Sequence, residues 1–360
     1  MCHSNISQQD ALAERLFQGT VHTLELFGIY IGKSLGLYRT LHGLGTCTPP
    51  QLAQHAGIHV RYAQEWLEQQ AVADLLTLQD PDQPPLQRRY ELPHEHVPVL
   101  VDDAHLAHVA PFAQMLVGIA RAMPRIIEAY RTGTGVPYAA YGPDFRDGQG
   151  GINRPAFSQV LAADWLRALP GVHSRLVAGE ALRVLDLGCG EGWAAISVAR
   201  NYPACDVVGV DTDVESIAAA RRNAAEEGVR VHFDANEISA ATGSGNFDLV
   251  LLLETLHDLP YPEATLRSVR QLLCKGGWLF IADERVAESF VAPGDAVERM
   301  MYGWSITHCL PSSMHHESSA AIGTAIRPAT VSALAEAAGF EECRQLGIQN
   351  DLFRFWGCRR

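Results

Sequence analysis

Three groups of residues in this chain have types and spacing that can do chemistry. The first is Val184 to Gly192, Val-Leu-Asp-Leu-Gly-Cys-Gly-Glu-Gly. Gly188, Gly190 and Gly192 alternate, so the turn can take backbone angles that a Cβ forbids. Without side chains, a ligand can also lie against the main chain. In an open α/β sheet, the turn from the first strand to its helix is where an adenosine-type ligand sits. The spacing is G-x-G-x-G, not the dinucleotide G-x-G-x-x-G/A, and no G-x-x-x-x-G-K-[ST] loop for a triphosphate occurs. Asp186 stands two places before the first glycine. A carboxylate there repels a pyrophosphate and suits an ammonium or a sulfonium. The second group is Asp211, about 20 residues on, where an acid at a strand end can accept both hydroxyls of a ribose. The third is His257-Asp258, with His308-Cys309 further along. A histidine with an unperturbed pKa near 6.5 suits a general base, and Asp258 can orient it or a metal. Alternatively His257, Asp258 and His308 together make a His/Asp/His metal site open to a bidentate α-keto acid or enol. That second reading needs the three to meet in space, and the assignment adopted is no metal. His315 and His316 read as part of a solvated loop.

These groups need elements to hold them. From Arg183 onward, strands and helices alternate, which predicts a parallel sheet with helices on both faces. The expected strands are 183–187, 206–210, 230–233, 248–253 and 278–282. Helices are expected from about Trp193, over 215–227 and over 263–273. Beyond them come a helix over 297–307, a break at His308–Pro311 and a polar loop over 312–324. A last helix over 327–338 and strands near 343–348 and 352–358 finish the chain. The N-terminal third reads differently. Residues 1 to about 12 are polar and are expected to be mobile. From Leu12 to Leu41 apolar residues recur at helical spacing, with Gly28, Gly32 and Gly36 among them, and glycines four apart let helices approach closely. Thr48-Pro-Pro to Gly57 gives a cap, a proline start and a glycine stop. A second helix follows over 60–75, and Leu76 to Val97 holds two short extended pieces around a proline-rich loop. This is a helix-turn-helix rhythm with a wing. Ala104 to Thr132 reads as helix interrupted near Pro111 and Pro124. Thr132 to Pro143 is either a linker or a loop over the site carrying Tyr138 and Tyr141. Asn153 to Leu169 is amphipathic. The domain boundaries implied are 1–103, 104–170 and 171–360.

Bulk composition narrows the partners. The chain has 360 residues, 47% apolar and 19% charged, with a formal net charge of −13. Such an acidic balance argues against a nucleic acid or an anionic membrane as the main partner. The winged segment invites a DNA-binding reading, but residues 1–105 carry six Lys+Arg against twelve Asp+Glu, and phosphate recognition needs the reverse. Eight cysteines show no C-x-x-C pair, so neither a disulfide framework nor a zinc ribbon is indicated. That suits a reducing cytoplasm, and no signal peptide is read at the start. The uncharged run Ala104–Ala120 contains two histidines, a proline and a glutamine, and reads as a buried helix, not a span.

Taken with its surroundings, the Val184–Gly192 stretch resembles motif I of the class I S-adenosylmethionine (SAM)-dependent methyltransferases. The resemblance covers the chain from roughly residue 20 and is strongest over 183–285. It is closest to bacterial small-molecule methyltransferases with an O-methyltransferase-like architecture. It implies a Rossmann-like seven-stranded α/β domain, whose last strand reverses, preceded by an α-rich winged-helix domain for dimerisation and substrate enclosure. It implies SAM as cofactor, held by Asp186, Gly188, Cys189, Gly190, Asp211, Thr212, Asp234, Ala235 and Glu254, with Asp234 at the adenine amino group. It implies a small-molecule acceptor, a homodimer, and a His257-Asp258 pair supplying the base; His308, on a segment that can fold over the pocket, is read from its position as a third catalytic residue. Two further readings stay open: a metal-assisted C-methyltransferase of an α-keto acid, and a SAM-binding regulator without turnover.

Overall fold

The computed structural model describes residues 7–236 and 247–360. The chain divides into two compact units, one running to Val117 and including Asp147–Ile152, the other comprising Gly118–Arg146 and Asn153–Arg360.

In the first unit, helix α1 spans Gln8–Ser34, so the polar start is helical from Gln8; residues 1–6 lie outside the described residues. Ser7 caps α1 by accepting from the Asp10 amide. The single apolar pattern over 12–41 is two helices, because Gly36 takes φ +66° and starts α2, Leu37–Leu44. Gly28 and Gly32 are buried, and a Cβ on Gly32 would lie 2.5 Å from Tyr38 and 2.6 Å from Trp66. Close approach is therefore the reason for that glycine spacing. Helix α3, Pro49–Ala56, starts on a Thr48/Gln51 capping box and stops at left-handed Gly57. Helix α4 spans Val60–Val72. Strands β1, Thr77–Leu78, and β2, Tyr90–Glu91, pair antiparallel as the wing, and a short helix α5, Val97–Leu100, follows. Tyr38, Leu41, Leu52, Trp66, Leu67 and Tyr90 form this unit's core.

Helices α6, Pro111–Thr132, and α7, Gly142–Ala156, contribute residues to both units. Pro111 opens α6, where a proline lacks no needed N–H, but Pro124 lies inside it without ending it. The expected interruption there is absent.

The second unit is an α/β layer. Helix α8, Pro170–Val177, leads into β3, Arg183–Leu187. Then follow α9 (Trp193–Asn201), β4 (Asp206–Asp211), α10 (Val214–Glu226), β5 (His232–Ala235) and β6 (Phe247–Leu253). After these come α11 (Pro262–Leu272), β7 (Leu273–Glu284), α12 (Ala296–Trp304), α13 (Leu310–Ser313), α14 (Pro328–Ala337), β8 (Glu342–Gln345) and β9 (Phe353–Arg359). The sheet order is β5-β4-β3-β6-β7-β9-β8. Only β9 runs against the others, antiparallel to both β7 and β8. Side chains alternate between two cores at the strand period of two. Val184, Leu249, Leu251 and Phe280 pack on one face; Leu185, Val250, Leu252 and Leu279 pack on the other. Burial on both faces is why these strands read as continuous apolar runs.

The chain leaves β3 toward β4 on one side and returns to β6 on the other. The carboxyl ends of β3 and β6 therefore flank the topological switch point, where ligands bind in such sheets. Cys343 and Cys358 are cross-strand partners on β8 and β9 and are joined by a disulfide. Their spacing of 15 residues does not reveal this in the sequence.

Candidate active site

The glycine turn leaves β3 with Gly188, Gly190 and Gly192 at φ +71°, +51° and +83°. The amides of Gly188 and Cys189 donate to the Val210 carbonyl at 2.8 and 3.1 Å, which ties the turn to β4. A Cβ on Gly188 would lie 2.5 Å from Thr255 Cγ2, and one on Gly192 2.6 Å from Phe233. A Cβ on Gly190 would meet no protein atom within 4 Å. The middle glycine thus borders open space, where a ligand can reach its main chain. Asp211 ends β4 and accepts from the Gly190 amide at 2.8 Å and the Asp213 amide at 2.9 Å. Burial raises its pKa, and these amides oppose that. Thr212 is exposed, and Asp234 and Ala235 close β5, with Ala235 in register beside Asp211. Asp186 is buried and accepts from the Ala195 amide at 3.0 Å, in the first turn of α9. Burial pushes it up to about 7. Cys189 is partly buried, and burial raises its thiol well above the usual range.

At the end of β6, Glu254 takes φ +49°, an uncommon conformation for a residue with a Cβ. Its carboxylate accepts from Asn153 Nδ2 at 2.9 Å, and burial pushes it up to about 7. Three residues on, His257 is buried. Its Nδ1 lies 2.6 Å from Asp283 Oδ1, and its backbone amide donates to Asp283 Oδ2 at 3.3 Å. Asp258 Oδ1 lies 3.4 Å from Nε2. Burial pulls the imidazole pKa down, but the carboxylates of Asp283 and Asp258 outweigh it and hold the ring well above 6.5. Glu284, beside Asp283, is buried near Glu254, and its carboxyl is held well above the usual range by burial and then by Glu254.

The segment after α12 is a π-helical turn, Ser305–Cys309, continuing into α13. The sequence reading expected a break there. Wide turns of this kind recur at functional sites. Its carbonyls are taken up by tyrosines: Tyr130 Oη donates to Ile306 O at 3.1 Å and Tyr141 Oη to Thr307 O at 3.0 Å. The turn buries both His308 and Cys309. His308 stacks on Phe145, with centroids 4.0 Å apart, and stands edge-on to Tyr141 at 4.6 Å and Tyr138 at 5.7 Å. Burial pulls His308 down to about 4, so it is neutral at pH 7. Among the described residues, the ligating atoms that gather within 4.8 Å of one another are those of His257, Asp258 and Cys309. His308 is not one of the three. An imidazole, a carboxylate and a thiolate suit zinc. Burial pushes the Cys309 thiol up to about 12, and the carboxylates beside His257 hold its ring well above 6.5. A cation bound there would have to displace both protons, so its binding would strengthen as pH rises.

Of the residues singled out from the sequence, Gly188, Cys189, Gly190, Asp211 and Asp234 come to one sheet edge, and Glu254, His257 and Asp258 to the adjoining strand end. Thr255 packs against Gly188 and joins the two. The sequence reading missed Asp283, Cys309 as a neighbour of His257, Asn153 and Arg146. Asp283 had a signal: an acid closing an apolar strand at the same sheet edge as His257.

Residues 178–327 match a family model described as a methyltransferase domain, and residues 24–101 one described as an Rv2258c-like winged HTH domain. A ubiquinone biosynthesis O-methyltransferase from Aromatoleum aromaticum is 31% identical over 190 residues, which are 52% of this chain and 73% of that protein. One of the same name from Xanthomonas axonopodis is 35% identical over 137 residues, 37% of this chain and 54% of its own length. The fold also matches human N-acetylserotonin methyltransferase in complex with SAM, at a TM-score of 0.66 and 17% identity, covering 100% of this chain and 99% of that one. With the glycine turn, an acid closing β4 and the reversed last strand in place, the chain belongs to the class I SAM-dependent methyltransferases, in the branch carrying an N-terminal winged-helix domain.

Proposed function

We propose that this methyltransferase acts on an oxygen of a small molecule, with His257 as general base. One observation carries the reading: a buried histidine at the strand end beside the glycine turn, with Nδ1 held on Asp283 and Nε2 left toward Asp258. SAM supplies an already activated methyl group. The protein's work is then to place the acceptor in line and remove its proton. Gly190, Asp211, Asp234 and Ala235 would hold the nucleoside, and Asp186 and Glu254, raised to about 7 by burial, would ionise more fully beside its positive charge. Asp283 fixes the His257 ring and its tautomer. His257 in its neutral form takes the hydroxyl proton, and Asp283 and Asp258 stabilise the imidazolium that results. The relatives' names are those of O-methyltransferases, which favours oxygen over the α-keto-acid carbon.

The test is release of S-adenosylhomocysteine (SAH) with a panel of phenols, carboxylates, amines and keto acids. His257→Gln should lower kcat by about 10²–10⁴-fold and leave SAH affinity unchanged. Wild-type kcat in that variant would overturn the base assignment. We also propose a homodimer through α1, whose Leu12, Leu16, Phe17, Leu24 and Ile31 are exposed at helical spacing. A scattering mass of one chain, 39.3 kDa, would refute it.

A further inference from the structure

We infer that Arg146 is a positioning residue: through its ion pair with Asp213 it fixes the Tyr138–Arg146 strap across the cofactor edge and the acceptor-side histidine, so that the two sites bind cooperatively. The inference rests on the reading that SAM occupies the glycine-turn cradle. Arg146 grips Asp213 with two nitrogens, Nε at 2.6 Å from Oδ2 and Nη2 at 3.4 Å from Oδ1. The two side chains are only 12% and 17% exposed. A forked, shielded pair of this kind is directional in a way an exposed pair is not. Asp213 also caps α10, accepting from the Ser216 amide at 2.9 Å and its hydroxyl at 2.7 Å. Its own amide donates to Asp211. The guanidinium therefore acts on the residue whose N–H aims the ribose-side carboxylate.

The same strap reaches the other site. Tyr141 donates to Thr307 O in the π turn, and Phe145, next to Arg146, stacks on His308. Tyr138 lies within electrostatic reach of Asp211, Asp213 and Asp258 at once. The start of the strap is pinned as well: the Val136 amide donates to Pro311 O at 2.8 Å, and a Cβ on Gly135 would lie 1.9 Å from the His315 amide nitrogen. One short segment is thus fastened at the cofactor end by Arg146 and at the acceptor end by Tyr141 and Phe145. Releasing the first fastening should disturb both sites. A merely structural ion pair would instead lower stability and leave ligand affinities alone.

Arg146→Gln, Arg146→Lys and Asp213→Asn separate these cases. Asn caps a helix about as well as Asp, so Asp213→Asn removes the pairing charge and keeps the cap. By calorimetry, Arg146→Gln and Asp213→Asn should each weaken SAH binding about 10-fold, as loss of one charged hydrogen-bonded pair does. The acceptor KM should rise in parallel. The double variant should be no worse than either single one, and Arg146→Lys should recover part of the loss. If Arg146→Gln does not fold, Arg146→Lys and Asp213→Asn carry the test. Unchanged SAH affinity and acceptor KM in folded variants, with only Tm lowered, would overturn the latch. Additive effects in the double variant would also overturn it. Failure of the wild type itself to bind SAH would instead overturn the cofactor reading, and the latch with it.

Discussion

Replacing Asp283 by Asn removes a negative charge 2.6 Å from the His257 ring and leaves the volume almost unchanged. The carboxylate accepts three hydrogen bonds: His257 Nδ1 and the Glu284 amide on Oδ1, and the His257 amide on Oδ2. An Asn offers one carbonyl oxygen and one NH₂, so one buried N–H then faces a donor. That costs about 1–3 kcal/mol. The charge effect has a sign that can be worked out. His108 and His308 are buried, and burial pulls each down to about 4. His257 is buried too but is held well above 6.5, with Asp283 the largest opposing influence. Without that charge its pKa must fall, although Asp258 remains. A base works in its neutral form, so wild-type kcat should rise with pH through a point above 6.5. In Asp283→Asn the rise should shift to lower pH, with a plateau lowered about 100-fold, or about 2.7 kcal/mol, from lost ring orientation. The linked stability has a defined sign as well. A raised folded pKa contributes stability that is complete below the unfolded value near 6.5 and is lost as pH rises through the folded value. The variant should lose the part of that dependence that Asp283 supplies. The assay is kcat and Tm measured between about pH 5 and 10, a range that brackets the histidine values. A rise that stays in place, or moves to higher pH, would refute the account of His257.

Two further substitutions probe the cofactor edge. Asp211→Asn can keep only one of its two main-chain amide partners as before, and calorimetry should show SAH affinity lowered about 10- to 100-fold, as for a charged hydrogen bond; a change within twofold would remove Asp211 from the site. Gly190→Ala places a methyl group where no protein atom lies within 4 Å, at φ +51°, so the fold should lose roughly 1–2 kcal/mol while SAH binding falls more than about tenfold. Gly57→Ala, at φ +67° in the left-handed region and also in open space, carries a comparable strain far along the chain, and equal SAH affinity in the two variants would show that Gly190 does not border the cofactor.

Much of this protein is written in local pattern. Val184–Gly192 specifies a strand, a left-handed turn and a helix, because only glycine takes those angles cheaply. The runs at 207–210 and 249–253 are apolar throughout because both faces of a parallel sheet are covered. Asp211 and His257 were legible for the same reason: each sits where such a run stops, and strand ends converge on one edge of the sheet. The winged unit was legible through its caps, Thr48 with Gln51 and then Gly57. What tertiary structure alone decided is who meets whom across that edge. Asp283 reaches His257 over 26 residues, Arg146 reaches Asp213 over 67, and Asn153 reaches Glu254 over 101. No periodicity links such pairs, since each depends on how distant strands and helices are laid side by side. That Cys309, and not the neighbouring His308, joins His257 and Asp258 has a similar origin. A π turn shifts the directions of the side chains it carries, and a stack of aromatic rings from a distant strap then holds His308. Sequence spacing records neither the extra residue in that turn nor the surface against which it packs.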